Sequence, residues 1–304
     1  DVTILTTDGG HDGGHLYVQA PITYTGSNLL KLQSLDGGYH LYIDADISVK
    51  NLAFYITPIL AASGIYQRQG AITASNLTID VIGGKGTVDL ARTGNQLGNV
   101  DIYAYSNKLV DLTLRNQSAS PTLTIQKGVS DTTTTLVTGD MTVTHTAGGI
   151  SLQGITVQGN LSLNAAGAIA QSDAATAAGA WKVSGSTVLT APATSNITLS
   201  NPNNDFSSSS GKTLSITSGK NVTIVEKSDI NLGAIDTTGP IAISTVSGAM
   251  SVTDDISTAD KTAAAVVLTA DKDLAAGTIG HSVFISGSPT ITTGTGGRVL
   301  LYTG

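Results

Sequence analysis

The densest local set of potential ligands is Asp8-Gly-Gly-His11-Asp12-Gly-Gly-His15. Two carboxylates and two imidazoles offer oxygen and nitrogen donors of the kind divalent ions take. Their spacing matches no defined metal motif, and the related Asp36-Gly-Gly-Tyr39-His40 keeps half of the groups. The segment reads as a glycine-rich turn, and no metal is assigned to it. Asp254-Asp255 and Asp271-Lys272-Asp273 carry oxygen ligands that calcium could use. The repeated Gly-Gly-x-Gly-x-Asp signature of calcium-loaded solenoids is missing, so these read as solvated turns. Asp44 and Asp46 raise a third chemistry, because paired carboxylates cleave glycosidic bonds. On a regular strand they share a face opposite Ile43, Ala45 and Ile47. No Arg or Lys cluster adjoins them, and the matching positions of the neighbouring copy are Gln19 and Pro21. The reading is therefore non-enzymatic, with no catalytic residue and no cofactor. The remaining candidates are aromatic. His15, Tyr17, His40 and Tyr42 occupy equivalent repeat positions and point away from the core. They form either a stabilising cross-strand ladder or a stacking surface for sugars or a protein partner.

The elements that position these groups are strands. Glutamate occurs once, at Glu226, and Lys plus Arg number 15 in 304 residues, so the usual surface of a helical protein is missing. Apolar residues alternate in short runs: Leu16, Val18, Ala20 and Ile22; Leu41, Ile43, Ala45, Ile47 and Val49; Val222 and Ile224; Ile241 and Ile243. Period-two alternation buries one face of a strand, and Gly, Asn, Asp, Ser and Thr between the runs suit turns. The net charge of -7 shows no basic stripe, which argues against nucleic acid. No apolar run approaches a membrane span. No N-terminal apolar signal segment is visible, so any export signal is expected to be removed or to lie elsewhere. Cysteine is absent, which excludes disulfides and thiolate chemistry.

Repeats decide the architecture. His15-Leu-Tyr-Val-Gln-Ala-Pro-Ile22 and His40-Leu-Tyr-Ile-Asp-Ala-Asp-Ile47 agree at an offset of 25. Asn28-Leu29, Asn51-Leu52 and Asn76-Leu77 follow at similar spacing. A longer repeat aligns Val88–Leu97 with Ile197–Phe206 at an offset of 109. One coil cannot bury its apolar face alone, whereas stacked coils share a core. The expected fold is an all-β parallel β-helix, one continuous β-solenoid over residues 1–304. At about 24 residues per turn it has about 12–13 coils and, at the spacing of neighbouring strands, forms a rod of roughly 55–60 Å. Eight of the nine tyrosines precede residue 106, which separates a Tyr-rich part (1–105) from Ser/Thr/Gly/Ala-rich repeats (106–304). Looped-out segments are expected near 53–70 and 171–182.

Leu-Tyr-Ile-Asp-Ala-Asp-Ile (41–47), Gly-Ala-Ile-Thr-Ala-Ser-Asn-Leu (70–77), Gly-Asn-Leu-Ser-Leu-Asn-Ala-Ala-Gly-Ala-Ile (159–169), Ile-Thr-Leu-Ser-Asn-Pro-Asn-Asn-Asp-Phe (197–206) and Gly-Gly-Arg-Val-Leu-Leu-Tyr (296–302) together resemble the repeat region of filamentous-haemagglutinin-like bacterial exoproteins. These are large adhesins exported by two-partner secretion. The resemblance covers most of the chain and is most specific over 159–250. It implies a right-handed parallel β-helix, secretion, and an extracellular or cell-surface location in an adhesive fibre. The family's N-terminal export domain has no counterpart here, which suggests an internal piece or a processed unit.

Ile43, Ile47, Leu163, Leu199, Ile224 and Ile243 are predicted core residues. Asp44, Ser48, Ser162, Thr198, Thr223 and Ala242 are their outward neighbours. Asp1-Val-Thr-Ile-Leu5 alternates at once, and Arg298-Val-Leu-Leu-Tyr302 is still strand-like. With no cap visible, Val2, Ile4, Val299 and Leu301 are expected near a seam. Neighbouring repeats of a longer polypeptide, or other copies of this chain end to end, would cover it. Surface glycans or proteins of host or bacterium are the expected external partners.

Overall fold

The computed structural model describes the chain except residues 7–13, 35–39, 58–62, 83–84, 105–108, 121, 129–135, 174–175, 207–209, 275–278 and 304. The chain is all-β, a β-solenoid of stacked parallel strands. Among the described residues the one helical piece is the 3-10 turn Ala177–Gly179. Two compact units are present: Asp1–Gly148 with Thr156–Gly159, and Gly149–Ile155 with Asn160–Gly304.

In the first unit, Val2–Thr6, Ile22–Ser34, Ile47–Ile56, Ile72–Val81, Gln96–Tyr103 and Thr122–Lys127 form one parallel sheet in that order. Leu16–Val18, Leu41–Ile43, Ser63–Gln67, Gly86–Leu90, Leu109–Asn116 and Met141–His145 form the other. Successive strands of a sheet are one coil apart in sequence, so each inner strand pairs with its counterparts in the coils before and after it, and Val2–Thr6 and Leu16–Val18 begin the two sheets. Ile43, Ile47, Phe54, Ile65, Ile79, Val88 and Leu112 are fully buried. On the outer face of the first sheet, Asn76 Nδ2 donates to Asn51 Oδ1 (2.8 Å) and Asn99 Nδ2 to Asn76 Oδ1 (3.3 Å). Such ladders of like side chains tie one coil to the next.

The second unit repeats the scheme. One sheet runs Gly149–Gln153, Ile169–Gln171, Ile197–Leu199, Val222–Glu226, Ile241–Thr245, Val266–Thr269 and Val299–Tyr302. The other begins Leu161–Ala165, Thr187–Thr190, Leu214–Ser218 and Ile230–Thr237. Two short strands, Met250–Val252 and Ile256–Thr258, then pair with the two ends of Ile230–Thr237. Leu163, Leu199, Ile224 and Ile243 are buried, as alternation requires. Thr198, Thr223 and Ala242 are exposed; Ser162, like Asp44 and Ser48 in the first unit, is half-buried on the outer face.

The register departs from the sequence reading at particular places. Leu29 pairs with Asn51 and Leu30 with Leu52, after an irregularity between Tyr24 and Leu29. The Asn28-Leu29 copy is thus out by one residue, and Leu30 is the buried member. Ala45 is not core: Asp44-Ala45-Asp46 is a corner between two strands, and Ala45 is half-exposed. Ala20 is exposed for the same reason. The segments expected to loop out are largely packed. Phe54 is fully buried and Ser63–Gln67 is a strand in register; residues 58–62 lie outside the described residues. Trp181 is also fully buried and donates its indole N–H to Leu152 O (3.1 Å).

The offset of 109 marks a buried polar corner. Asn95 and Asn204 are both completely buried. Asn95 Oδ1 accepts from Ile72 N (2.9 Å) and Gln67 Nε2 (2.7 Å), and its amide donates to Leu90 O (3.1 Å). Asn204 Oδ1 accepts from Trp181 N (2.9 Å) and Gln171 Nε2 (2.7 Å), and its amide donates to Leu199 O (3.2 Å). In each unit the Asn side chain replaces ladder hydrogen bonds that the turning backbone cannot make, as burial demands.

Candidate functional site

The outward face of the first unit's short-strand sheet carries the aromatic residues. Leu16–Val18, Leu41–Ile43 and Ser63–Gln67 pair so that Tyr17, Tyr42 and Tyr66 fall on one row, with Asp89 as the next rung. Tyr17 and Tyr42 stack with ring centres 5.0 Å apart, and Tyr42 and Tyr66 at 6.0 Å. Beside them His15 and His40 stack at 5.0 Å with rings nearly parallel, and His40 meets Tyr66 edge-on at 5.2 Å. His15 Nδ1 accepts from His40 N (3.0 Å), so the imidazole also helps join the coils. Gly64 makes room for the third tyrosine, since a Cβ there would lie 2.8 Å from the Tyr66 ring.

Arg68 completes the row. Its Nε donates to Asp44 Oδ1 (2.7 Å), a second nitrogen donates to Asp44 Oδ2, and its guanidinium lies 4.2 Å from the Tyr42 ring centre. Cation–π contact and a bidentate carboxylate together fix an otherwise mobile side chain. The corner after Arg68 needs Gly70: its φ is +68°, and a Cβ would meet the Ala45 carbonyl carbon at 2.3 Å. One coil on, Arg92 donates to Arg68 O. His40, Tyr42, Tyr66, Gln67, Arg68, Asp89 and Arg92 line a groove of about 710 Å³. Burial pushes the Tyr66 phenol pKa up, and the nearby Tyr42, Asp89 and Asp111 add to this. Burial, with His15 alongside, lowers the His40 pKa. The hydrogen bonds from Arg68 hold Asp44 below the usual carboxylate range.

The four aromatic residues singled out in the sequence are thus brought together. Tyr66, Arg68 and Arg92 were missed as partners. The third copy, Ser63-Gly-Ile-Tyr-Gln67, has lost the His-Leu that marks the first two. Arg68 reaches Asp44 across 24 residues of sequence, so a search for adjacent basic residues could not find it. Asp44 and Asp46 do not form a pair: Asp44 is held by Arg68, and Asp46 accepts from Ala71 N (2.8 Å) at the corner.

The other candidates are dispersed. Asp8, His11, Asp12 and Asp36 lie outside the described residues. Asp255 Oδ1 is committed to Thr290 N (2.7 Å) and Oγ1 (2.9 Å). Asp271 is buried at a left-handed backbone position (φ 53°), where it accepts from Gly248 N (2.6 Å) and pairs with His281 Nδ1 (2.9 Å). Asp273 pairs instead with Lys272 (2.9 Å). Among the described residues no three His, Cys, Asp or Glu side chains converge as a metal site. Val2 and Ile4 are exposed on Val2–Thr6, which pairs on one side only among the described residues. Val299 and Leu301 are likewise exposed on Val299–Tyr302.

Among curated proteins no match is found. Among solved structures none is found either. Residues 138–213 match a family model described as repeats of unknown function (DUF5649), and this agrees with the coil-by-coil repetition of a repeat protein.

Proposed function

We propose that this chain is a non-catalytic structural and adhesive segment of a secreted bacterial surface exoprotein of the filamentous-haemagglutinin-like kind. The observation that carries the reading is the outward row His15/His40 and Tyr17/Tyr42/Tyr66, fixed by strand register on a stacked scaffold. Large aromatic side chains held rigidly at a surface cost little entropy when a partner docks. The repeat solenoid supports a structural role, and the resemblance of the repeat strings supports the extracellular, adhesive one. Beads coated with the chain are expected to adhere to bacterial or host-cell surfaces. His40→Ala with Tyr42→Ala should reduce that adhesion severalfold without loss of β-structure by circular dichroism. Absence of adhesion by the parent chain would overturn the reading, as would polysaccharide turnover abolished by Asp44→Ala or Asp46→Ala.

The exposed outer strands favour a second reading, a filament subunit whose copies continue the parallel pairing from one chain to the next. Val2, Ile4, Ile22, Tyr24, Leu29 and Leu30 surround an apolar hollow of about 190 Å³ beside one such strand. An unpaired strand edge is a template for further pairing. On this reading the purified chain forms length-variable fibres that Ile4→Pro or Leu301→Pro disrupts. A concentrated solution that stays monomeric by light scattering excludes it.

A further inference from the structure

We propose that the groove lined by Tyr42, Tyr66, Arg68, Asp89 and Arg92 binds an uncharged glycan, with successive sugar rings spanning successive coils. This rests on the reading that the aromatic face is an interaction surface and names the ligand chemistry it selects.

Three features of the groove lead there. The first is charge balance. Arg68 and Arg92 are matched by Asp44 and Asp89, and Asp44 already holds Arg68 through two hydrogen bonds. A polyanion or polycation finds half of these charges opposed to it. The second is what the rings present. Tyr42 is stacked on Tyr17 and Tyr66, and Arg68 lies over its ring. The faces of Tyr42 are therefore used within the protein, and ring edges, phenol hydroxyls and guanidinium N–H groups are left for a ligand. The floor is fixed, because Gln67 donates to Gly70 O (2.9 Å) and Asn95 Oδ1 (2.7 Å). An apolar partner would bury the Arg and Asp groups without replacing their water, at a cost. A polyhydroxylated one supplies both donors and acceptors. The third is periodicity. Tyrosine and histidine rungs recur at 5.0 to 6.0 Å along the stack of coils, comparable to the length of one hexose ring. A linear glycan lying along the groove meets Tyr42 and Tyr66 at successive sugars and the Asp89 carboxylate at the next, and multiple weak contacts add.

The test is calorimetric titration of the whole chain. The probes are hexasaccharides of β-1,4-, β-1,3- and α-1,4-linked glucose, β-1,4-linked mannose and β-1,4-linked N-acetylglucosamine, with polygalacturonate as the anionic arm. At least one neutral hexasaccharide is expected to bind. Tyr66→Phe, which removes a hydroxyl and keeps the ring stack, should weaken binding roughly tenfold, as should Arg92→Ala. Unchanged circular dichroism and melting temperature establish that these variants fold; Ser162→Ala, in the second unit, should bind normally. Failure of every neutral probe overturns the proposal. So does binding indifferent to Tyr66→Phe and Arg92→Ala, or a preference for polygalacturonate that collapses with salt. The adhesive reading fails separately: coated beads can adhere through another surface and remain indifferent to Tyr66→Phe, or the chain can bind the hexasaccharide and yet adhere to no cell.

Discussion

Asn204→Leu is expected to destabilise the second unit by about 4 kcal/mol. The substitution keeps the branched shape and heavy-atom count and adds apolar surface to an apolar interior, at the cost of some overpacking. Hydrogen bonding decides the outcome. Asn204 Oδ1 is the acceptor for the buried Trp181 N–H and for Gln171 Nε2, and its amide donates to Leu199 O and Val225 O (3.1 Å). Leucine strands the buried Trp181 N–H, takes one of two acceptors from the half-buried Gln171 Nε2, which keeps Gly179 O (3.4 Å), and leaves two carbonyls less well satisfied, each lost bond to a buried group costing about 1–3 kcal/mol. Trp181, the chain's one tryptophan, is fully buried and bonded to Asn204 through its own backbone, so its fluorescence during urea unfolding reports this corner directly. Asn95→Leu should do the same to the first unit through Ile72 and Gln67. A midpoint shift worth less than 1 kcal/mol in the Asn204 variant would mean that water satisfies the corner and the Asn is replaceable.

These two asparagines also show what the sequence discloses. Alternation located Ile43, Ile47, Leu163, Leu199, Ile224 and Ile243 correctly, because a parallel stack imposes one inward face on each strand and leaves little room for exceptions. The offset of 25 likewise foretold the stacked His15/His40 and Tyr17/Tyr42 pairs. The 109-residue repeat was visible as Asn-Gln-Leu against Asn-Asp-Phe, but its cause was not. Asparagine at a turn has two meanings, a solvated loop or a buried bracket, and local sequence does not separate them. Corners such as Asp44-Ala45-Asp46 were misread because the apolar alternation runs on across them while the backbone bends. The groove escaped notice for a related reason: Tyr66, Arg68, Asp89 and Arg92 belong to coils whose sequence likeness to the first two has faded, although their strands keep the register.

A second large effect is expected from the chain's one glutamate. Glu226 occupies the place in the second unit that Asn116 holds in the first. Glu226 Oε2 accepts from Phe206 N (2.9 Å), one residue pair beyond the Asn204 corner, just as Asn116 Oδ1 accepts from Leu97 N (2.8 Å) beyond Asn95. Asparagine is neutral at every pH, whereas glutamate is not. Glu226 is fully buried, and desolvation lifts its pKa from 4.5 to about 8 against the opposing pull of the Phe206 and Ser228 N–H groups. The sign follows from proton counting. Between pH 4.5 and about 8 the unfolded chain has released this proton while the folded chain keeps it, so raising the pH favours unfolding. At about 1.4 kcal/mol per pH unit the second unit should lose up to about 5 kcal/mol across that window, then level off above pH 8. Asp255 and Asp271 act in the opposite sense and at lower pH. Bonds from Thr290 depress the pKa of Asp255; at Asp271 burial pushes the pKa up, and the bonds from His281 and Gly248 together outweigh it, so the contribution of both is lost as the pH falls below the carboxylate range. Stability of the second unit should therefore peak near pH 5. Glu226→Gln keeps the side-chain length and the carbonyl acceptor for Phe206 N, removes the ionisation, and gives up the acceptor for Ser228 N (3.2 Å). It should fall about 1 kcal/mol below the parent at pH 5 through that lost bond, exceed it by several kcal/mol at pH 8, and flatten the descent between them. Urea unfolding followed by Trp181 fluorescence at each pH measures this. Parallel pH profiles for parent and variant would show that Glu226 ionises equally in the folded and unfolded chain, and that solvent reaches it in spite of its burial.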